Sequence, residues 1–157
     1  MRLARPMMST PRIELLQQMA VFGAIRTDVL EFLLGLSRTL HLARGEYFFR
    51  QGDPGEVMFV LESGAAEVLR EVAGGEPHLV RRLAAGDCFG EMALMDLSPR
   101  SASVRALEDC VAIAISAGDL MRVYEKDIEQ FVIIEMNMGR ELSRRLREAD
   151  ERLFPRG

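Results

Sequence analysis

Cysteine is scarce in this chain of 157 residues: Cys88 and Cys110 are the two present, too few for a disulfide framework or a four-cysteine iron–sulfur cluster. Both are read as reduced thiols of a cytoplasmic protein. Histidine is as scarce, with only His41 and His78, so the imidazole and carboxylate cluster of a metal-dependent β-barrel enzyme is missing. No glycine-rich loop runs into Lys-Ser or Lys-Thr, which removes the common triphosphate cradle. Together these absences argue against an enzyme and against a metal or cofactor. No long apolar run follows Arg2 and Arg5, so the start is neither signal peptide nor membrane span. Positive charge is not in excess either. Twenty Lys and Arg against 24 Asp and Glu give a formal net charge of -4, the wrong sign for neutralising a nucleic-acid backbone. A small anion remains a suitable ligand.

What is present suffices for one domain with a core, since 48% of the residues are hydrophobic and 28% charged. Residues 1–8 read as a disordered tail. Residues 9–37 read as N-terminal helices, one opening at Ser9-Thr10-Pro11 and a second, more apolar one from Thr27 to Leu36 after the break at Gly23. Over 38–115 the pattern changes, with glycines at 45, 52, 55, 64, 74, 75, 86 and 90 separating short apolar or alternating runs. Such punctuation predicts antiparallel strands. Phe59, Leu61, Ala66 and Val68 fall on one face across the Gly64 turn, and Ala73-Gly74-Gly75-Glu76 makes a hairpin loop.

Ser116 and Asp119 have capping-box spacing, and residues 116–157 read as C-terminal helices with Asp127 and Gln130 at a second cap. Phe131, Glu135, Met138, Leu142, Leu146, Ala149 and Leu153 then approach a heptad seam, which predicts a homodimer through this helix. Arg140, Arg144, Arg145, Arg147 and Arg152, interleaved with acids, read as a solvated face. The expected architecture is α+β: a jelly-roll barrel of about eight antiparallel strands, flanked by N-terminal helices and a long C-terminal helix.

The densest chemistry lies in residues 89–104. Phe89-Gly90-Glu91-Met92-Ala93-Leu94 joins a glycine turn to a short apolar helix, and Pro99-Arg100-Ser101-Ala102-Ser103-Val104 runs an Arg-Ser pair into a strand. Backbone N–H groups at a helix start and a guanidinium fork both suit an oxygen anion, and Ser101 adds a hydroxyl. With Arg44-Gly45-Glu46-Tyr47-Phe48-Phe49-Arg50-Gln51-Gly52-Asp53, Phe59-Val60-Leu61-Glu62-Ser63-Gly64 and Ala85-Gly86-Asp87-Cys88, the chain resembles the cyclic-nucleotide-binding domain family over about residues 12 to 153.

The resemblance implies a jelly roll that holds cyclic AMP or cyclic GMP beneath the C-terminal helix and signals through that helix to a partner protein. It implies that Arg100 and Ser101 hold the phosphate, with the backbone of Gly90, Met92, Ala93 and Ala102 beside them, and that Glu91 accepts from the ribose 2′-hydroxyl. Val80 and Leu83 match apolar contacts to ribose and base, although plain core serves equally well for each. Asp150 falls near the base edge. Cyclic AMP is favoured over cyclic GMP. Two alternatives stand beside this: the sensor part of a transcription regulator without its DNA-binding domain, or a degenerate barrel serving only as an interaction module, in which Glu91 and Arg100 form a structural ion pair.

Overall fold

A computed structural model describes residues 2–4 and 10–155. Two antiparallel sheets face one another. The first has five strands in the order β1 (Arg2–Ala4), β2 (Arg38–Leu42), β9 (Cys110–Ser116), β4 (Val57–Ser63) and β7 (Cys88–Phe89); the second has four, β3 (Tyr47–Phe49), β8 (Ser103–Ala106), β5 (Ala65–Arg70) and β6 (His78–Ala84). The jelly roll is therefore two separate sheets and not a closed barrel. Part of the expected disordered tail is a strand: Arg2–Ala4 pairs with Thr39–His41. Without it β2 would leave a row of backbone donors and acceptors open at the sheet edge. Residue 1, residues 5–8 and the proposed helix start at Ser9 lie outside the described residues.

Alternation divides the core in two. Phe59, Leu61, Ala66, Ala112 and Ala114 point between the sheets with Leu40, Phe48, Leu83 and Phe89. Met58, Val60, Ile113 and Ile115 point out of the first sheet, onto the helices. These are α1 (Thr10–Gln17), a 3-10 turn (Ala20–Phe22), α2 (Thr27–Leu36), α4 (Ala117–Lys126) and α5 (Ile128–Leu153). α2 is apolar enough to bury Val29, Leu30, Leu33 and Leu34 completely. Both predicted caps form: Ser116 and Asp119 exchange side-chain bonds with each other's backbone N–H, and Asp127 accepts from Gln130 N–H.

α5 is fastened to the N-terminal segment at two points. The Gln130 side chain accepts the backbone N–H of Arg26 at 2.8 Å, and Asn137 Nδ2 donates to the carbonyls of Val21 and Gly23. The inward face is thus Gln130, Ile134 and Met138, all buried, with Phe131 packed against the helical core. This corrects the heptad seam. Phe131 and Met138 serve the domain's own core, and the outward stripe is instead Ile128, Val132, Met136, Gly139, Ser143, Leu146 and Leu153. Only Leu146 and Leu153 belong to both sets.

Candidate functional site

Arg100 enters the structure on a short extended segment clamped by the β3–β4 loop. Its N–H donates to Asp53 O and its carbonyl accepts from Gly52 N–H, each at 2.8 Å. The side chain is only 6% exposed. Nη1 donates to Gly90 O at 2.9 Å, Nη2 donates to Val57 O at 2.7 Å, and the guanidinium lies 4.0 Å from the centre of the Phe49 ring. Nε is buried without an acceptor. Burial pushes the guanidinium below its ordinary pKa, while Asp53 and then Glu91 oppose that fall; neither lies within ion-pair distance.

Two glycines make room for this arginine. A Cβ on Gly55 would sit 2.3 Å from Arg100 Nε, and one on Gly90 would sit 2.8 Å from Nη1. Gly90 also has φ of +81°, a conformation that side chains disfavour. It turns the chain from β7 into the short helix α3 (Glu91–Asp96), whose first-turn N–H groups have no partner inside the helix. A β-bulge shapes the opposite wall. Pairing shifts between Tyr47 and Phe49, so Phe48 is the extra residue and two consecutive rings reach Phe59 and Phe89.

Glu91 is 2% exposed and does not pair with Arg100. Its partner is Arg145 of α5, whose Nη1 donates to Oε1 while Nη2 donates to Cys88 O at 3.3 Å. Among the described residues Glu91 Oε2 takes no hydrogen bond, so one carboxylate oxygen is held by α5 and the other can accept. The structural ion pair weighed for Glu91 and Arg100 is therefore not formed. Arg81, on β6, adds a third guanidinium nearby. Burial lowers its pKa, and the charge of Arg145 adds to that fall against the pull of Glu91. Cys88 beside them is a buried thiol, pushed well above its ordinary pKa by burial and then by Glu91, which disfavours the reactive thiolate.

The structure brings Gly90, Glu91, Met92, Ala93 and Arg100 together around α3, with Ala93 buried and Met92 half exposed. Ser101 follows directly and is exposed, with no hydrogen bond from its side chain among the described residues, and Ala102 is half-buried. Leu83 is 1% exposed and packs between the sheets, whereas Val80 is 46% exposed. Val80 falls where pairing jumps from Val68↔Arg81 to Leu69↔Leu79, so it is the unpaired residue of a bulge. Asp150 is exposed. It lies five residues beyond Arg145, about 140° round the helix, and so turns away from the side that meets Glu91.

Arg145 and Arg81 are the residues that sequence reasoning missed. In sequence Arg145 looks like the solvated arginines beside it, and Arg144 is one, pairing with Glu141 and Glu148 along the surface. Its position seven residues after Met138 was the available signal, because it continues the inward face.

The model of the cyclic nucleotide-binding domain matches residues 39–127, more than half of the chain. The cyclic AMP receptor protein of Thermus thermophilus is 31% identical over 130 residues, covering 83% of this chain and 58% of that protein. The cAMP-dependent protein kinase regulatory subunit of Emericella nidulans is 47% identical over 68 residues, 43% of this chain and 16% of that one. Among solved structures, the Thermus thermophilus catabolite activator protein superposes with a TM-score of 0.76 at 30% identity, covering 85% of this chain and 61% of that one. The chain thus spans about three fifths of the Thermus protein. A buried glutamate opening a short helix and a buried arginine on the extended segment after it, in this jelly roll and under a family model matched over residues 39–127, place the chain in the cyclic nucleotide-binding domain family.

Proposed function

We propose that this domain binds a 3′,5′-cyclic nucleotide without chemistry and reports occupancy of the site through α5. The observation that carries the reading is Arg100, a buried guanidinium with no carboxylate in ion-pair range among the described residues. An unpaired buried cation is costly, and a monoanionic cyclic phosphate offsets that cost. Arg100 spends two donors on backbone carbonyls and keeps others for phosphate oxygens. Arg145 orients Glu91 by one oxygen and leaves the second for a 2′-hydroxyl, which a 3′,5′-cyclic ribonucleotide retains. Ser101 completes the phosphate side.

The names of the relatives support cyclic AMP as the ligand. Arg81 favours a second reading, cyclic GMP, because a half-buried guanidinium with no bonded partner among the described residues matches the paired acceptors O6 and N7 of guanine. The outward stripe on α5 supports a homodimer, and a downstream protein is the expected recipient of the signal. Two of the matched relatives are a receptor and a regulatory subunit, which supports a non-catalytic role. Among the described residues no helix is long and apolar enough to cross a membrane.

Calorimetric titration with cyclic AMP, cyclic GMP, 2′-deoxy cyclic AMP and linear AMP tests this. Saturable binding of a cyclic ribonucleotide is expected, weakened in Arg100→Ala by about 30-fold or more, as truncation of one buried charge partner implies. Absence of binding by every cyclic nucleotide would overturn the proposal, and preference between the two bases decides the role of Arg81.

A further inference from the structure

A cavity of about 390 Å³ opens between the sheets at the end where β2 starts and β9 finishes. None of Gly90, Glu91, Arg100 or Ser101 lines it. Its size lies within the ordinary range for small-molecule sites. Phe48 and Phe59 form an aromatic floor, and Leu40, Val57 and Ala114 form aliphatic walls. The rim carries Arg38, Ser116 and Asp119.

The rim residues differ in what they have left to offer. Ser116 Oγ accepts from Asp119 N–H at 3.0 Å, and Asp119 Oδ2 accepts from Ser116 N–H at 2.9 Å, so both serve the cap of α4. Arg38 points from an exposed strand start and bonds to none of the described residues. Among the described residues the free polar chemistry of the cavity is therefore one cation over an apolar, partly aromatic interior. The geometry points to a ligand site separate from the cassette, taking a small flat apolar molecule with a single carboxylate, its rings on Phe48 and Phe59 and its head on Arg38. The two sites share a wall: Val57 lines this cavity with its side chain and receives Arg100 on its carbonyl.

The test titrates 2-naphthoate and its neutral, same-shaped amide into the full chain, followed by naphthalene fluorescence, which the absence of tryptophan leaves clear. Naphthoate is expected to bind about fivefold or more tighter than the amide, and Arg38→Ala to erase that difference. Ala114→Leu should weaken both about tenfold by filling the cavity, and saturating cyclic AMP should leave naphthoate bound. Equal affinity of acid and amide, no saturable binding below about 1 mM, or mole-for-mole displacement by cyclic AMP would each overturn the assignment. Arg38→Ala decides the matter if Ala114→Leu does not fold. Neither titration depends on cyclic-nucleotide binding, so the two readings fail separately.

Discussion

At the scale of single residues, the site is set by what surrounds Arg100 as much as by Arg100 itself. Gly55 never needs to touch a ligand, yet a Cβ there would overlap the guanidinium. Gly55→Ala is accordingly expected to mimic Arg100→Ala, weakening cyclic-nucleotide binding about tenfold or more by calorimetry while the circular dichroism spectrum stays native. Glu91 gives a different signature. Glu91→Gln keeps an acceptor but weakens the hold of Arg145, so affinity for the ribonucleotide should fall by about three- to tenfold, the worth of a single hydrogen bond. The ratio of ribo to 2′-deoxy affinity should move towards one; an unchanged ratio would remove the hydroxyl from Glu91. Arg100 and Glu91 were legible in the sequence because a contiguous motif carries them. Arg145 and Gly55 were not, since their role exists only once segments 54 and 45 residues away are folded beside them.

At the scale of elements, α5 shows where periodicity misleads. Apolar positions at mixed spacings of three and four admit more than one stripe round a helix. The sequence reading drew one stripe through Phe131 and Met138; packing against Val21 and Gly23 put both inside and left Ile128, Val132 and Met136 outside. Glu135, placed on the predicted seam, is instead half-buried, and desolvation raises its pKa. A carboxyl whose folded pKa lies above its unfolded value binds protons more tightly when folded, so its contribution favours folding in acid and is lost as pH rises through the raised value. Glu135→Gln should therefore raise the Tm near pH 7.5, by about 1–2 °C for a change below 1 kcal/mol, with no gain near pH 4. Scanning calorimetry at the two pH values checks this. The caps at Ser116 and Asp127 were readable directly, because a cap is a local bond between neighbours.

At the scale of the whole molecule, two sheets and a layer of helices bury two cores that share the first sheet. One face of this division was legible, since Phe59, Leu61 and Ala66 fall together by alternation, whereas the pairing of Arg2–Ala4 was not, since three residues carry too little pattern to announce a strand. The outward stripe of α5 leaves Leu146 and Leu153 largely exposed, at 63% and 72%. If two copies pair along it, Met136→Glu combined with Leu146→Glu should convert a dimer into a monomer by light scattering, with ligand binding retained. A wild-type chain that is monomeric at the same concentration would count against pairing.

The attachment of α5 has a mechanical side. The helix is pinned at Asn137, meets Glu91 at Arg145, and runs on to Leu153. With 1.5 Å of rise per residue, Arg145 stands about 12 Å from the pin and Leu153 about 24 Å. Tilting about that fulcrum doubles displacement: a shift of about 1 Å where the helix meets the carboxylate becomes about 2 Å at its tip. If α5 moves as proposed, it acts as a lever whose short arm ends at Glu91 and whose long arm carries the exposed Leu146 and Leu153.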